Sequence, residues 1–194
     1  MTLAQAVTTA GSGRIDLTTT AGNLQVNAKV RAGGDLSLDA AGRLNIAATV
    51  RGSRVGLTGG TGIGHTAAGN VTSGGTLTAT ATANDINMAG TRYSAARAIT
   101  LAAAKNVNLG RVEAGANPIT VTAGIGAISD GLAGEGAGSE NLIGNAISLT
   151  AGAGIGGPGG DADIDTAVTS IDAQTSTGGI FIASITLVRE AHHS

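Results

Sequence analysis

Residues 34–52, GDLSLDAAGRLNIAATVRG, are rewritten 63 positions further on. Leu36, Leu38, Leu44 and Ile46 fall on Ile99, Leu101, Val107 and Leu109, Asn45 falls on Asn108, and Gly52 falls on Gly115. The first apolar position of each successive unit is Ile15, Leu36, Val55, Leu77, Ile99, Ile119 and Ile147, at spacings of 21, 19, 22, 22, 20 and 28 residues. A second anchor follows eight or nine residues later at Leu24, Leu44, Ile63, Ile86, Val107 and Ile155. The unit beginning at Ile119 offers both Ile125 and Ile128 for this place. A looser third anchor is Val30, Val50, Val71, Tyr93 and Val112. A self-similar period of about twenty residues is the mark of a solenoid, in which one supersecondary unit buries its apolar face against the next.

Inside each unit the period is two. Ile15 and Leu17, Leu36 and Leu38, Ile99 and Leu101, and Ile119 and Val121 point to one side; Asp16, Thr18, Ser37, Asp39, Thr100, Thr120 and Thr122 point to the other. A slip of one residue would bury the polar set, so the alternation specifies the pairing. The expected fold is all-β: a parallel β-helix with three strands per coil and about 20 residues per coil. Helix is the competitor over 94–104, where alanine is dense, but ITLAAA carries no 3.6-residue face. A core with one Tyr, one Phe and no Trp fits a narrow aliphatic stack. The glycine pairs 33–34, 59–60, 74–75 and 178–179, with Gly115, mark corners.

One β-helix domain is expected over 1–184, with regular coils over 11–116 and looser coils over 117–184, followed by a truncated coil or tail at 185–194 that ends in His192-His193. Two insertions, GLAGEGAGSEN at 131–141 and GGPGGDADID at 156–165, read as corner loops suited to display.

The segments GDLSLDAAGRLNI (34–46), AITLAAAKNVNL (98–109), ISLTAGAGIG (147–156) and TSTGGIFI (175–182) resemble the filamentous haemagglutinin-like exoproteins of bacteria. The resemblance implies a right-handed parallel β-helix, a non-enzymatic structural or adhesive role, and a secreted or bacterial cell-surface location. It implies contact with a host surface or glycan. The export domain of such proteins is not recognisable in this chain.

A formal net charge of −2 gives no global attraction to nucleic acid, and no apolar run is long enough to insert in a membrane. Cysteine is absent, which removes thiol chemistry. Asp161, Asp163 and Asp165 alternate in a glycine-rich stretch similar to Ca²⁺-binding nonapeptide loops. Against that consensus an apolar position holds Asp163; against an EF-hand the glycine place holds Thr166 and the glutamate place holds Asp172. The three read as a solvated acidic loop, with Ca²⁺ the one cofactor the pattern could serve. Asp16, Asp35 and Asp39 could gather for polysaccharide cleavage, the enzyme-class alternative, but no aromatic residue accompanies them. His65 reads as a solvated loop residue. Threonines recur on the first strands, an arrangement some β-solenoids use to bind ice; here Asp16, Ser37, Asp39, Gly56 and Ala102 interrupt it. Gln25, Asn45, Asn87 and Asn108 recur on the second, as a ladder of amides bonded along the axis. Basic residues gather near the third strand, and Arg31, Arg51 and Arg111 are the candidates for gripping an acidic glycan. Self-association through the solenoid ends, giving a filament, is the remaining alternative.

Overall fold

The structure, a computed structural model, describes all residues except 67, 89, 135–137, 160 and 185–194. The expected tail and its His192-His193 lie outside the described residues. Three parallel sheets wind into a β-solenoid of about eight turns with about 21 residues per turn. We call them sheets I, II and III in the order the chain visits them within a coil. Sheet I has eight strands, among them Ile15–Thr19, Leu36–Ala40, Val55–Gly59, Leu77–Ala81, Ile99–Ala103, Ile119–Ala123, Ala146–Ala151 and Ser170–Thr175. Sheet II has seven strands, from Thr2–Leu3 to Ile128–Asp130, and sheet III nine, from Val7–Thr8 to Ile182–Ser184.

The apolar anchors set this register. Ile15, Leu36, Val55, Leu77, Ile99, Ile119 and Ile147 pair in sequence along sheet I, and Ile171 adds an eighth coil. Leu24, Leu44, Ile63, Ile86 and Val107 do the same along sheet II. Ile128 follows Val107 and bridges to Ile155, which in turn bridges to Ile180. Ile125, the other residue offered for that place, is 75% exposed. Val30, Val50, Val71, Tyr93 and Val112 line sheet III. The alternation holds within strands: in Leu36–Ala40 the burial runs buried, half-buried, buried, half-buried, buried. The inward residues form one continuous core, and Tyr93 is its largest fully buried side chain. The alanine-dense stretch contributes strands Arg92–Ala95 and Ile99–Ala103 and no helix.

Glycine serves the corners in two ways. Gly115 takes a positive φ of 56°, which a side chain disfavours. Gly60 has ordinary dihedrals, but a Cβ there would overlap the Ala41 carbonyl of the preceding coil. Coils about 4.8 Å apart leave no room for one.

Candidate interaction surface

The expected basic stripe is divided by the strand register. Arg31 and Arg51 are paired neighbours on the outer face of sheet III, and both are exposed. Lys29 lies two residues before Arg31, on the same face. None of the three has an ion-pair partner among the described residues. The next places in the Arg31–Arg51 file are Thr72, Ser94 and Glu113. Arg111 stands in a second file beside Arg92. Its guanidinium is occupied: it pairs with Glu113, reaches Glu140 at 3.1 Å and donates to the Gly138 carbonyl. Arg92 also pairs with Glu113. Arg31 and Arg51 therefore present open positive charge, whereas Arg111 fastens a loop.

That loop rises from the corner between sheets II and III, because 131–141 joins Ile128–Asp130 to Leu142–Ile143. The second insertion joins Ile155 to Ile164–Ala167 and so uses the same corner one coil later. In the regular coil before them a single residue, Gly110, makes this connection. Polar side chains fill the floor beneath the loops. Asn141, fully buried, donates from Nδ2 to Asp130 Oδ1 at 2.6 Å, and its Oδ1 accepts the Asp165 N–H at 2.9 Å. Asp130 also accepts the Leu132 N–H, at 2.7 Å. Burial raises the pKa of Glu140, but hydrogen bonds from the Gly138 and Glu140 N–H groups and the Arg111 charge outweigh it, leaving the carboxyl below its ordinary value.

The three alternating aspartates do not share one solvated loop, as the sequence suggested. Asp161 is exposed, Asp163 is half-buried, and Asp165 belongs to the strand Ile164–Ala167 with 2% exposure. Asp165 pairs with Ala183 in the next coil. Among the described residues no group of three or more His, Cys, Asp or Glu is placed to hold a metal ion. Asp16 and Asp35 are held by Arg14 and Arg54, the latter pair at 3.0 Å, beside a shallow depression whose lining includes Ser37, Thr76 and Thr78. Asp39 lies outside that lining, in the neighbouring outward file.

His65 is also placed otherwise than expected. It pairs with Ile46 and so occupies an inward place at the end of Gly62–His65. Nδ1 lies 2.9 Å from the Gly69 carbonyl oxygen, and Nε2 lies 2.6 Å from the Tyr93 hydroxyl. A carbonyl only accepts, so Nδ1 carries the hydrogen, and Nε2 then accepts from the Tyr93 O–H. The rings meet edge to face with centroids 5.2 Å apart. Burial, with a smaller contribution from the Arg43 charge and against the Gly69 hydrogen bond, lowers the His65 pKa to about 4; burial raises that of Tyr93. The imidazole is neutral and half-buried at the edge of the core. Counting by twos from inward Ile63 would have placed it there.

The amides Gln25, Asn45, Asn87 and Asn108 stand in the same outward file of sheet II, broken at Gly64, where the Arg43 guanidinium lies over the glycine. Two of them do not bond along the axis as expected. Gln25 donates to Asn27 and Asn45 accepts from Arg43, both within their own strand. The axial bonds come from residues that drew no notice in the sequence, at the corner between sheets I and II. Asn23 accepts the Arg43 N–H, Asp85 accepts the Asn106 N–H, and Asn106 accepts the Ala127 N–H, at 2.8, 2.9 and 2.9 Å. Each lies directly before a second anchor or at its level, a positional signal that the anchor list contains.

Comparison with known proteins bears on what such a surface serves. Residues 61–127 match the family described as Hemagglutinin repeat. No curated protein and no solved structure matches the chain. No enzyme family is shown, and the repeat and the solenoid fit an adhesin-like rod. The repeat match over residues 61–127, with three parallel sheets running through that region, supports a filamentous haemagglutinin-like β-helix segment.

Proposed function

We propose that this segment is a non-enzymatic rod in a secreted or cell-surface adhesin, and that the outer face of sheet III contacts an acidic glycan of a host surface. The observation that carries the contact is the Arg31–Arg51 pair: two exposed guanidiniums in adjacent coils, with Lys29 beside them. Paired strands set the two backbones about 4.8 Å apart, and a guanidinium presents a fork that matches sulfate or carboxylate. Like charges kept so close without a carboxylate between them are suited to an anionic polymer. The two loops on the corner between sheets II and III are the display elements of the rod, held from below by Arg111, Asn141 and Asp165.

Retention on immobilised heparin tests this reading. The wild-type chain is expected to elute at raised salt. Arg31→Ala with Arg51→Ala should move elution to low salt, while Arg111→Ala should leave it where it was. Elution of the wild type at low salt would overturn the glycan contact.

A further inference from the structure

We propose that the outer face of sheet I, from the coil of Val55 to that of Ile147, orders water into a lattice and adsorbs to ice. The strand register creates this face. Thr78, Thr100, Thr120 and Ser148 are paired in one outward file. Thr58, Thr80, Thr122 and Thr150 lie in the other, with Ala102 between Thr80 and Thr122. Aspartates bound the face at both ends: Asp16 and Asp39 pair with Ser37 and Thr18 in the first two coils of the sheet, and Asp172 pairs with Ser148 in the last. From Val55 onward, through the strand of Ile147, no outward place on these strands holds Lys, Arg, Asp or Glu. The outer face of sheet III, by contrast, carries charge at Lys29, Arg31, Arg51, Arg92 and Arg111.

A second observation sets these hydroxyls apart from several at the corners. Thr9, Ser53, Ser73, Thr82 and Thr91, at the corners, all turn their hydroxyls onto backbone carbonyls. The eight hydroxyls of the sheet I face make no hydrogen bond within the protein among the described residues. They are left to water. A hydroxyl and a methyl on each stiff β-branched side chain repeat at roughly 4.8 Å along the axis and about 6.6 Å along the strand. Such a grid holds first-layer water at regular intervals, with the methyls limiting how that water can turn. A charged group would impose its own tighter shell, and none is present there. The ligand is crystalline water, and the surface is independent of the guanidinium face.

Freezing measurements on the full chain test this. The wild type is expected to hold ice growth below the melting point and to facet the crystals. Thr100→Lys with Thr120→Lys, at the centre of the face, should abolish both effects, with circular dichroism confirming an intact β-fold. Thr120→Val, which keeps the β-branched shape, gives the same readout for the hydroxyl alone and should reduce the freezing gap. Arg31→Ala with Arg51→Ala, on the other face, should leave the gap unchanged, and so separates this inference from the glycan reading. Freezing of the wild type indistinguishable from that of an inert protein at equal concentration would overturn the proposal. So would full activity in the folded double-lysine variant.

Discussion

Residues 1–111 and residues 112–184 share one cross-section but differ in nearly everything laid upon it. The first stretch holds ten Lys and Arg against four Asp and Glu; the second holds eight Asp and Glu and no Lys or Arg. The rod is therefore polarised along its axis although its net charge is only −2. The core changes with it. In the file that runs Val71, Tyr93, Val112, Leu142, the next coil places Thr166, fully buried, whose hydroxyl donates to the Ala183 carbonyl at 3.0 Å. In the file that runs Val26, Ile46, His65, the later place after Leu109 falls to Asp130. Early coils are held by aliphatic packing that any β-solenoid could use. Later coils keep aliphatic packing from Ile119 to Ile164 and add specific hydrogen bonds, which hold loops in place. The loops and the acidic charge arrive together because a coil that carries an insertion needs polar side chains to satisfy the freed backbone.

The sharpest test of this contrast is a pair of truncations. Leu101 is fully buried in sheet I, and Leu101→Ala should cost about 2–5 kcal/mol through lost burial and the cavity left. Ile171 stands in the same sheet at 38% exposure. There the same change should cost under about 1 kcal/mol, since little apolar surface is lost from contact. Urea unfolding of both variants measures this, and equal losses would erase the distinction between the halves.

Next in size is acid sensitivity in the regular half. The His65 pKa is about 4 in the folded chain against an ordinary 6.5, so the unfolded chain binds the proton first. Its contribution is full above about pH 6.5, is lost as the pH falls toward 4, and is constant below that, a span on the order of 3 kcal/mol. His65→Met, the residue that follows it in the file at 88, should flatten the stability profile between those limits. A variant as acid-sensitive there as the wild type would show that the imidazole is not the titrating group.

The smaller effect belongs to the later half. Asn141→Ala leaves Asp130 short of one donor and the Asp165 N–H without its acceptor. About 1–3 kcal/mol of local stability should go with them. Limited proteolysis should find faster cleavage within 131–141 and little change elsewhere, and uniform acceleration along the chain would count against a local role.

What the sequence made legible followed the same division. All seven first anchors, from Ile15 to Ile147, stand in the register that their spacing implied, because an aliphatic residue repeated every twenty or so places has one satisfactory position. The spacing could not choose between Ile125 and Ile128, since the glycines around them permit either path. His65 and Asp165 were misplaced for a physical reason. Hydropathy gives a polar side chain to water, whereas the fold sets one against Tyr93 and buries the other within a strand. Arg111 was grouped with Arg31 and Arg51 because charge is visible in sequence and its partners, Glu113 and Glu140, are not. That both insertions share a corner was not legible, because the third-anchor series stops at Val112 and the structure alone continues it through Leu142 and Thr166.

Stacked strands lie across the rod, and this governs how it would answer a pull along its length. The hydrogen bonds of all three sheets point along the axis, so tension opens them end-on, one coil at a time, instead of shearing a whole sheet at once. Each released coil of about 21 residues would add roughly 70 Å of slack chain. A rod tethered at one end and gripping a surface at the other would yield in small steps, each dissipating work, and would spare the bond at its tip.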